Sequence, residues 1–478
     1  MLRHTKIVAT LGPASSTQEI LERLVQAGID VVRMNFSHGT VEDHLARAAG
    51  IRAAAAKFGR TIGILGDLQG PKIRVSKFEN DKITLVDGEN FILDAQCTLG
   101  NQERAGLDYK ELPKDARVDD VLLLDDGRLK LIVTSVRGTE IHTRVLVGGE
   151  LSNNKGINRQ GGGLSAPALT GKDMDDIKTA ALIGVDFVAV SFPKGAADMY
   201  MARQLLRAAG SNALLIAKIE RVEAVAHLEE ILDSSDGVMV ARGDLAVEVG
   251  DAAVPALQKR MIRMARDRNK LTIIATQMME SMILSPVPTR AEVSDVANAV
   301  LDGTDAVMLS AETAAGKYPV ETVESMARIC VEAERSAEVT LEREFLDRIF
   351  TRIDQSIALA AIWTSHHLNV KAIAALTQSG STALWMSRLN CGVPIYALTP
   401  DAVSVGRMAL YRGVCPLAIS PPQNSDRDLL LAQAEQLLID REVVQKGDLI
   451  VLTIGEPIGS TGGTNTLKIV RVGEHQAN

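Results

Sequence analysis

Aromatic side chains are scarce in this chain of 478 residues: Phe, Trp and Tyr together make up 3%. Without them the interior must be filled by Ala, Val, Ile, Leu and 15 Met. That composition suits parallel α/β sheets, whose strands are buried on both faces. Cysteine is rare as well. Cys97, Cys330, Cys391 and Cys415 show no CxxC spacing, which argues against a zinc ribbon or a disulfide framework and for a reducing compartment. The expected location is the cytoplasm. No run approaches the ~18 uninterrupted apolar residues of a membrane span, and MLRHTKIVATLG enters a strand-like pattern directly, unlike a signal peptide. A basic excess is also missing: 52 Lys and Arg stand against 60 Asp and Glu, for a net charge of −8. Such a chain offers no face to nucleic acid or to an anionic membrane. Any phosphate it binds must be held by local cations. Neither a Walker A sequence nor GxGxxG occurs, so a bound nucleotide is not held by a P-loop or a Rossmann crossover.

What is present is globular, with 46% hydrophobic and 23% charged residues. At roughly 150 residues per domain the length suggests about three domains. Short β-branched runs recur at Lys6–Thr10, Val31–Asn35, Ile62–Leu65, Phe187–Val190, Leu214–Ala217, Val238–Val240, Thr272–Ala275 and Ala306–Leu309. Between most of them lie Ala/Leu-rich segments such as Thr17–Ala27, Val41–Lys57, Lys172–Ile183 and Arg290–Leu301, long enough for crossover helices. Alternating βα units imply a parallel sheet. Three strands are approached by Gly, a spacer and Asp (Gly28/Asp30, Gly184/Asp186, Gly303/Asp305). There Gly suits the left-handed end of a helix and Asp can hold the tight turn.

Polar residues gather after the strands: Asn35 and Ser37, Asp67, Ser191, Lys218 and Glu220, Arg242 and Asp244, Thr276 and Gln277, Ser310 and Glu312. In a (β/α)8 TIM barrel the carboxyl ends of all strands meet at one face, where active sites lie. The rhythm breaks between Asp67 and Phe187, where alternating stretches punctuated by Asp and Gly read as hairpins. The expected division is a barrel from 1–71 and 167–336, an inserted β-rich domain at 72–166 and a C-terminal α/β domain at 337–478. That leaves a barrel near the ~250 residues typical of the fold. The charged segment Glu338–Arg348 reads as the connector.

Period-two geometry puts Lys218 and Glu220 on one side of their strand. Read alone, they fit either an ion pair or a catalytic pair. The next strand leads into Gly243-Asp244 at the start of a helix, whose free N–H groups can hold an anion. Glu220 and Asp244 together make a hard-oxygen site suited to Mg²⁺ with substrate phosphates completing its coordination, and Lys218 can neutralise charge on a transferring phosphoryl group. Alternation likewise groups Arg33, Asn35 and Ser37, with Arg33 able to grip phosphate bidentately. His38 fits either a surface histidine or a ligand contact. The loop GDLQGPKIRV adds Asp67, Lys72 and Arg74. In the last domain Thr377, Gln378, Ser379, Gly380, Ser381 and Thr382 lie between a strand and a helix, which suits either an ordinary N-cap or a phosphate cradle. A second loop with Ser460, Thr461, Gly462 and Gly463 can close over the same ligand. Asp125 and Asp126 in LLLDDG read better as turn residues than as part of the site.

Eight ordered segments carry a family resemblance: TKIVATLGPAS, VVRMNFSHG, NNKGIN, IAKIE, MVARGDLAVE, ATQMMESM, PTRAEVSDVANAVLDGTDAVMLSAETAAGKYP and TQSGST. With them the chain resembles the pyruvate kinases over its whole length. The resemblance implies a (β/α)8 barrel whose insertion at 72–166 is a β-barrel-like lid and whose C-terminal α/β domain at 337–478 is regulatory, and it implies transfer of the phosphoryl group of phosphoenolpyruvate to ADP, giving pyruvate and ATP. It implies Glu220 and Asp244 as Mg²⁺ ligands, with Mn²⁺ as a substitute, and Lys218 as the transition-state stabiliser. Gly243, Asp244 and Thr276 match the groups that hold the substrate carboxylate and enol. Arg33 matches the phosphate grip, and Asn35, His38, Arg74 and Lys155 match nucleotide contacts. Ser310 and Glu312 fall where the family has a water network serving the enolate carbon; which group gives the proton stays open.

One departure concerns K⁺. Asn35, Ser37, Asp67 and Leu68 match the family's K⁺ site, but K⁺-requiring members commonly read DTKGPEIR where this chain reads DLQGPKIR. The Lys72 ammonium replaces a glutamate there, so activity without K⁺ is expected. The effector loop has no Arg, which favours a sugar monophosphate or AMP over fructose 1,6-bisphosphate as activator. A homotetramer is the family expectation. Rival readings are another enolpyruvate-handling barrel, such as a mutase or aldolase, and a metabolite sensor on a decayed scaffold. The lid and third domain speak against the first, and the presence of Lys218, Glu220 and Asp244 against the second.

Overall fold

A computed structural model describes residues 3–336, 349–389, 392–420, 426–459 and 462–474. The expected connector Glu338–Arg348 lies outside the described residues, as do Ser460 and Thr461 of the second effector loop. Eight parallel strands close into a barrel: Lys6–Thr10, Val31–Asn35, Gly63–Asp67, Phe187–Val190, Leu214–Ile219, Gly237–Ala241, Leu271–Ala275 and Ala306–Leu309. Each pairs with its neighbours in chain order, and the last pairs with the first. Their apolar runs are continuous because one side of each strand faces the barrel interior and the other its helices. The third strand runs to Asp67, past the expected Leu65, and the fifth to Ile219. Both extensions carry the chain directly to polar strand-end residues.

The repeated Gly-spacer-Asp motif does more than shape a turn. Gly28, Gly184 and Gly303 all take a left-handed φ, between 68° and 109°, as the end of a helix before a tight turn requires. Each following aspartate reaches the neighbouring strand instead of its own turn. Asp30 accepts a hydrogen bond from the N–H of Ile7 at 2.9 Å, Asp186 from Ile64 at 2.8 Å and Asp305 from Thr272 at 2.9 Å. Asp236 does the same for Leu215 at 2.7 Å. A strand-opening N–H has no ladder partner of its own, so a carboxylate there satisfies a buried donor.

Contacts sort the chain into two compact units, one of Met1–Gly66, Ile183–Phe187 and Ala265–Asn478, the other of Asp67–Leu182 and Val188–Met264. In the second, the inserted segment forms a two-stranded sheet, Lys82–Leu85 with Gly149–Ser152, and a six-stranded sheet around its own core of Phe91, Leu93, Leu122, Leu131, Ile141 and neighbours. In the first, a five-stranded sheet holds Ala372–Leu376, Ile395–Thr399, Val414–Ala418, Leu449–Gly455 and Thr464–Arg471. Four of these strands are parallel; Thr464–Arg471 adds an antiparallel edge to Leu449–Gly455, directly after Gly462 and Gly463 of the second loop. Helix Ser381–Ser387 springs from the end of the first of these strands and helix Ala402–Met408 from the second.

Candidate active site

Lys218 and Glu220 sit side by side, as alternation at the end of their strand requires, with Nζ 2.9 Å from Oε1. The same ammonium lies 2.7 Å from Ser191 Oγ, to which it donates, and 3.4 Å from Asp67 Oδ1. Three oxygen groups therefore surround it. Glu220 is 1% exposed, and its other oxygen accepts a hydrogen bond from the N–H of Phe192 at 2.8 Å. Burial pushes its carboxyl above the ordinary range; the Lys218 charge pulls it back and the Asp244 charge adds to the rise. Two nearby carboxylates, one of them buried, are a donor set that a hard divalent cation fits. No group of three or more His, Cys, Asp or Glu placed for a metal occurs among the described residues, so any cation here takes its remaining ligands from elsewhere.

Asp244 lies in the first turn of helix Arg242–Val249, with Gly243 before it. Its Oδ1 is 3.1 Å from the Lys72 ammonium, which is also 3.9 Å from Asp126. Lys72 thus meets the candidate metal ligand, while Asp67 is met by Lys218. Arg74 and Lys155 come together on facing segments of the inserted unit. Arg74 bridges to Gly156 and donates from Nη1 to the Asn154 carbonyl at 2.9 Å, and Lys155 Nζ is 2.7 Å from Asp125. Asp125 and Asp126 have φ of 49° and 56°, the left-handed turn conformation.

In the other unit, Arg33 donates to Thr10 Oγ at 3.1 Å. Asn35 Oδ1 accepts from the Ser37 N–H at 3.1 Å and its carbonyl from the His38 N–H at 3.2 Å, folding VVRMNFSHG into a tight turn after its strand. Thr276 and Gln277 both have left-handed φ, 69° and 54°. For a β-branched residue such a conformation is strained, and strain of this kind concentrates at functional sites. Buried Glu312 binds two backbone groups, accepting from the Ser310 N–H at 2.6 Å and the Met279 N–H at 3.2 Å. It fixes the turn after Thr276 against Ser310, while burial raises its carboxyl above the ordinary range.

The residues expected to hold an effector also converge. The Gly380 N–H donates to Thr377 Oγ at 3.0 Å, and Ser379 Oγ lies 3.3 Å from Ser381 Oγ. Thr377, Gln378, Ser381, Thr382, Gly462 and Thr464 line one cavity, and Thr382 and Thr464 join their hydroxyls at 2.6 Å. Gly463 stays in the backbone beside Gly455 and is not among the lining residues. The sequence alone assigns Ser191 no role and gives no sign of the Phe192 N–H. The position of Ser191 after its strand was visible, but its bond to Lys218 was not.

A barrel with cations and carboxylates at its strand ends, an inserted β unit and a C-terminal α/β sheet defines a class of phosphate-handling barrel enzymes. Residues 2–323 match the family model described as the pyruvate kinase barrel domain, and residues 355–470 the pyruvate kinase alpha/beta domain. The chain is 52% identical to pyruvate kinase II of Salmonella typhimurium, covering 98% of this chain and 99% of that one. It is 53% identical to a pyruvate kinase of Haemophilus influenzae over 95% and 96% of the two chains, and 41% identical to one of Mycobacterium intracellulare over 99% of both. The chain belongs to the pyruvate kinase family, enzymes that transfer the phosphoryl group of phosphoenolpyruvate to ADP to give pyruvate and ATP. Among the described residues no helix is long and apolar enough to cross a membrane.

Proposed function

We propose that this chain performs the family reaction with Lys218 as the group that neutralises the transferring phosphoryl. The observation that carries the reading is the hold on Lys218: its ammonium is fixed by Glu220, Ser191 and Asp67, in a site where burial strengthens every charge. Arg33 would grip the phosphate of the substrate. Gly243, Asp244 and Thr276 would hold its carboxylate and enol oxygen, and Ser310 would stand in the path of the proton to the enolate carbon. Asn35, His38, Arg74 and Lys155 would contact the nucleotide. The reaction brings two polyanions into line, so cations and positioning do the work that a nucleophile does elsewhere.

Glu220 and Asp244 would hold Mg²⁺, or Mn²⁺ in its place, leaving positions for water and phosphate oxygens. When bound, the cation supplies further positive charge at the phosphoryl oxygens. Lys72 on Asp244 brings a fixed positive charge to the same group, which supports activity without K⁺ at Asn35, Ser37, Asp67 and Leu68. The division into a barrel of 1–71 and 167–336, a lid of 72–166 and a regulatory domain of 337–478 belongs to the same proposal, as do a cytoplasmic location and a homotetramer.

The cavity of Thr377–Thr382 would take a phosphorylated activator. Its loop carries no cation, but the Arg352 guanidinium, paired with Asp354, lies beside Gly462. One cation supports one phosphate, as in a sugar monophosphate or AMP, over fructose 1,6-bisphosphate. The deciding measurement is pyruvate formation from phosphoenolpyruvate and ADP, with and without K⁺ and candidate activators, for the wild type and Lys218→Met. Abolished turnover in a folded Lys218→Met supports the reading; turnover within about tenfold of wild type refutes it.

A further inference from the structure

We infer that Ser191 and the backbone of Phe192 form a positioning element that aims the Lys218 ammonium and the Glu220 carboxylate together. The Ser191 hydroxyl has one proton, and it donates that proton to the Leu68 carbonyl at 2.7 Å. Its lone pairs are thereby turned toward Lys218, whose Nζ donates to Oγ at 2.7 Å. One hydroxyl thus fixes the ammonium relative to the turn after Asp67. The next residue does the same for the carboxylate, since the Phe192 N–H donates to Glu220 Oε2 at 2.8 Å.

The surroundings of the two residues impose this geometry. Phe192 has a φ of 55°, a left-handed backbone that costs a bulky residue energy. That conformation places the Phe192 N–H on Glu220 directly after Ser191 reaches Lys218. The Arg221 guanidinium, next to Glu220, lies over the Phe192 ring at 5.3 Å and holds the strained residue in place. From the other side, Gly70 approaches so closely that a β-carbon on it would stand 2.8 Å from Ser191 Cβ. Ser191 itself is 1% exposed. A buried hydroxyl engaged on both sides, beside a strained turn whose N–H serves the adjacent acid, is positioned for chemistry beyond what a strand end needs for packing.

Ser191 touches no substrate in this account; it acts through Lys218, and the inference rests on the role proposed for that lysine. The test uses the full chain with Ser191→Ala, Ser191→Thr and Lys218→Met in parallel. Ser191→Ala is expected to lower kcat by about tenfold to a hundredfold, as a misaimed catalytic group does. Its KM for phosphoenolpyruvate should stay within about threefold, because the hydroxyl does not bind substrate. Its thermal midpoint should stay within about 3 °C, because alanine fills nearly the same space. Ser191→Thr keeps the hydroxyl and should recover most of the lost kcat. A wild-type kcat in Ser191→Ala overturns the inference, as does a loss that tracks KM or the midpoint, or a threonine variant no better than alanine. If Lys218→Met is active, the reading of the site fails first; if it is inactive while Ser191→Ala is normal, only the positioning role fails.

Discussion

Arg388 donates from two guanidinium nitrogens to the Asp305 carboxylate, with Nη1 2.9 Å from Oδ2 and Nη2 in contact with Oδ1. The side chains are 3% and 1% exposed. Arg388 closes the helix Ser381–Ser387, which starts at the proposed effector loop, and Asp305 opens the strand Ala306–Leu309, which ends at Ser310. A single buried pair therefore ties a helix leaving one loop to a strand feeding another. Asp305 also accepts from the backbone N–H of Thr272 and of Arg412, so its charge is spread over several donors.

Removing one member should be costly. Arg388→Met leaves a buried carboxylate short of its strongest donor, and breaking such a pair costs about 3–5 kcal/mol. The check is the urea midpoint at constant slope. A loss below about 1 kcal/mol would show that the remaining N–H donors suffice. Pairing Arg388→Met with Asp305→Leu tests the same point from the other side: the double variant should lose less than the two single losses added together.

At Lys72, charge reversal is the informative change. The ammonium stands 3.1 Å from Asp244. In Lys72→Glu a carboxylate faces a carboxylate, and like charges that close oppose the ionised form of both. Without K⁺, the wild type should turn over at nearly its full rate, and Lys72→Glu should fall by at least about tenfold. Added K⁺ should restore the variant and leave the wild type unchanged. Strict K⁺ dependence of the wild type would remove Lys72 as the substitute cation.

Much of this arrangement could be read from residues alone, for a physical reason. A parallel barrel strand is buried on both faces, so runs such as KIVAT and AVML stand out from any polar surroundings. Polar residues at their carboxyl ends then have one plausible destination. The edge strand Thr464–Arg471 escaped because its sequence, TNTLKIVR, has polar residues at most positions, as a half-exposed antiparallel edge permits. Partner choice was not legible either. The motif alone points Asp30, Asp186 and Asp305 to their own turns, whereas each bonds an N–H of a different strand, 23, 122 and 33 residues away. Ser191 is the same case at the site, since its partners Leu68 and Lys218 are distant in sequence.

Glu248 makes a prediction in pH. Burial pushes its carboxyl up to about 7 from an ordinary 4.5, with the Glu223 charge adding to the rise; the Val222 N–H, Arg221 and Asn158 oppose it. Between those two values the folded protein holds a proton that the unfolded chain has lost. The stability contributed by the protonated group is therefore complete below pH 4.5 and is lost as pH rises to about 7. Glu248→Gln stays neutral throughout, so its stability should fall less steeply across that window. Near pH 8 it should exceed the wild type by on the order of 2–3 kcal/mol. Parallel curves for the two proteins would mean that Glu248 titrates as an ordinary carboxylate.

The proposed effector cavity supplies a prediction that separates one phosphate from two. Thr377, Ser381 and Thr382 can offer hydroxyls and backbone N–H groups to a phosphate, but neutral donors alone bind a dianion weakly in water. Arg352 is a cation beside the second loop, where its Nη2 would lie 3.0 Å from a β-carbon placed on Gly462. Its guanidinium is paired with Asp354, with Nη2 2.6 Å from Oδ2. A phosphate that recruits Arg352 must compete with that carboxylate, so Asp354→Asn should strengthen activation and Arg352→Ala should weaken it. The expected change for Arg352→Ala is about tenfold in the activator concentration giving half the effect. A monophosphate and a bisphosphate of the same sugar, titrated side by side, should then differ little in the wild type, because only one phosphate finds a cation. A bisphosphate that activates a hundredfold more tightly, in both wild type and Arg352→Ala, would place the second charge on a group other than Arg352 and overturn the preference for a single phosphate.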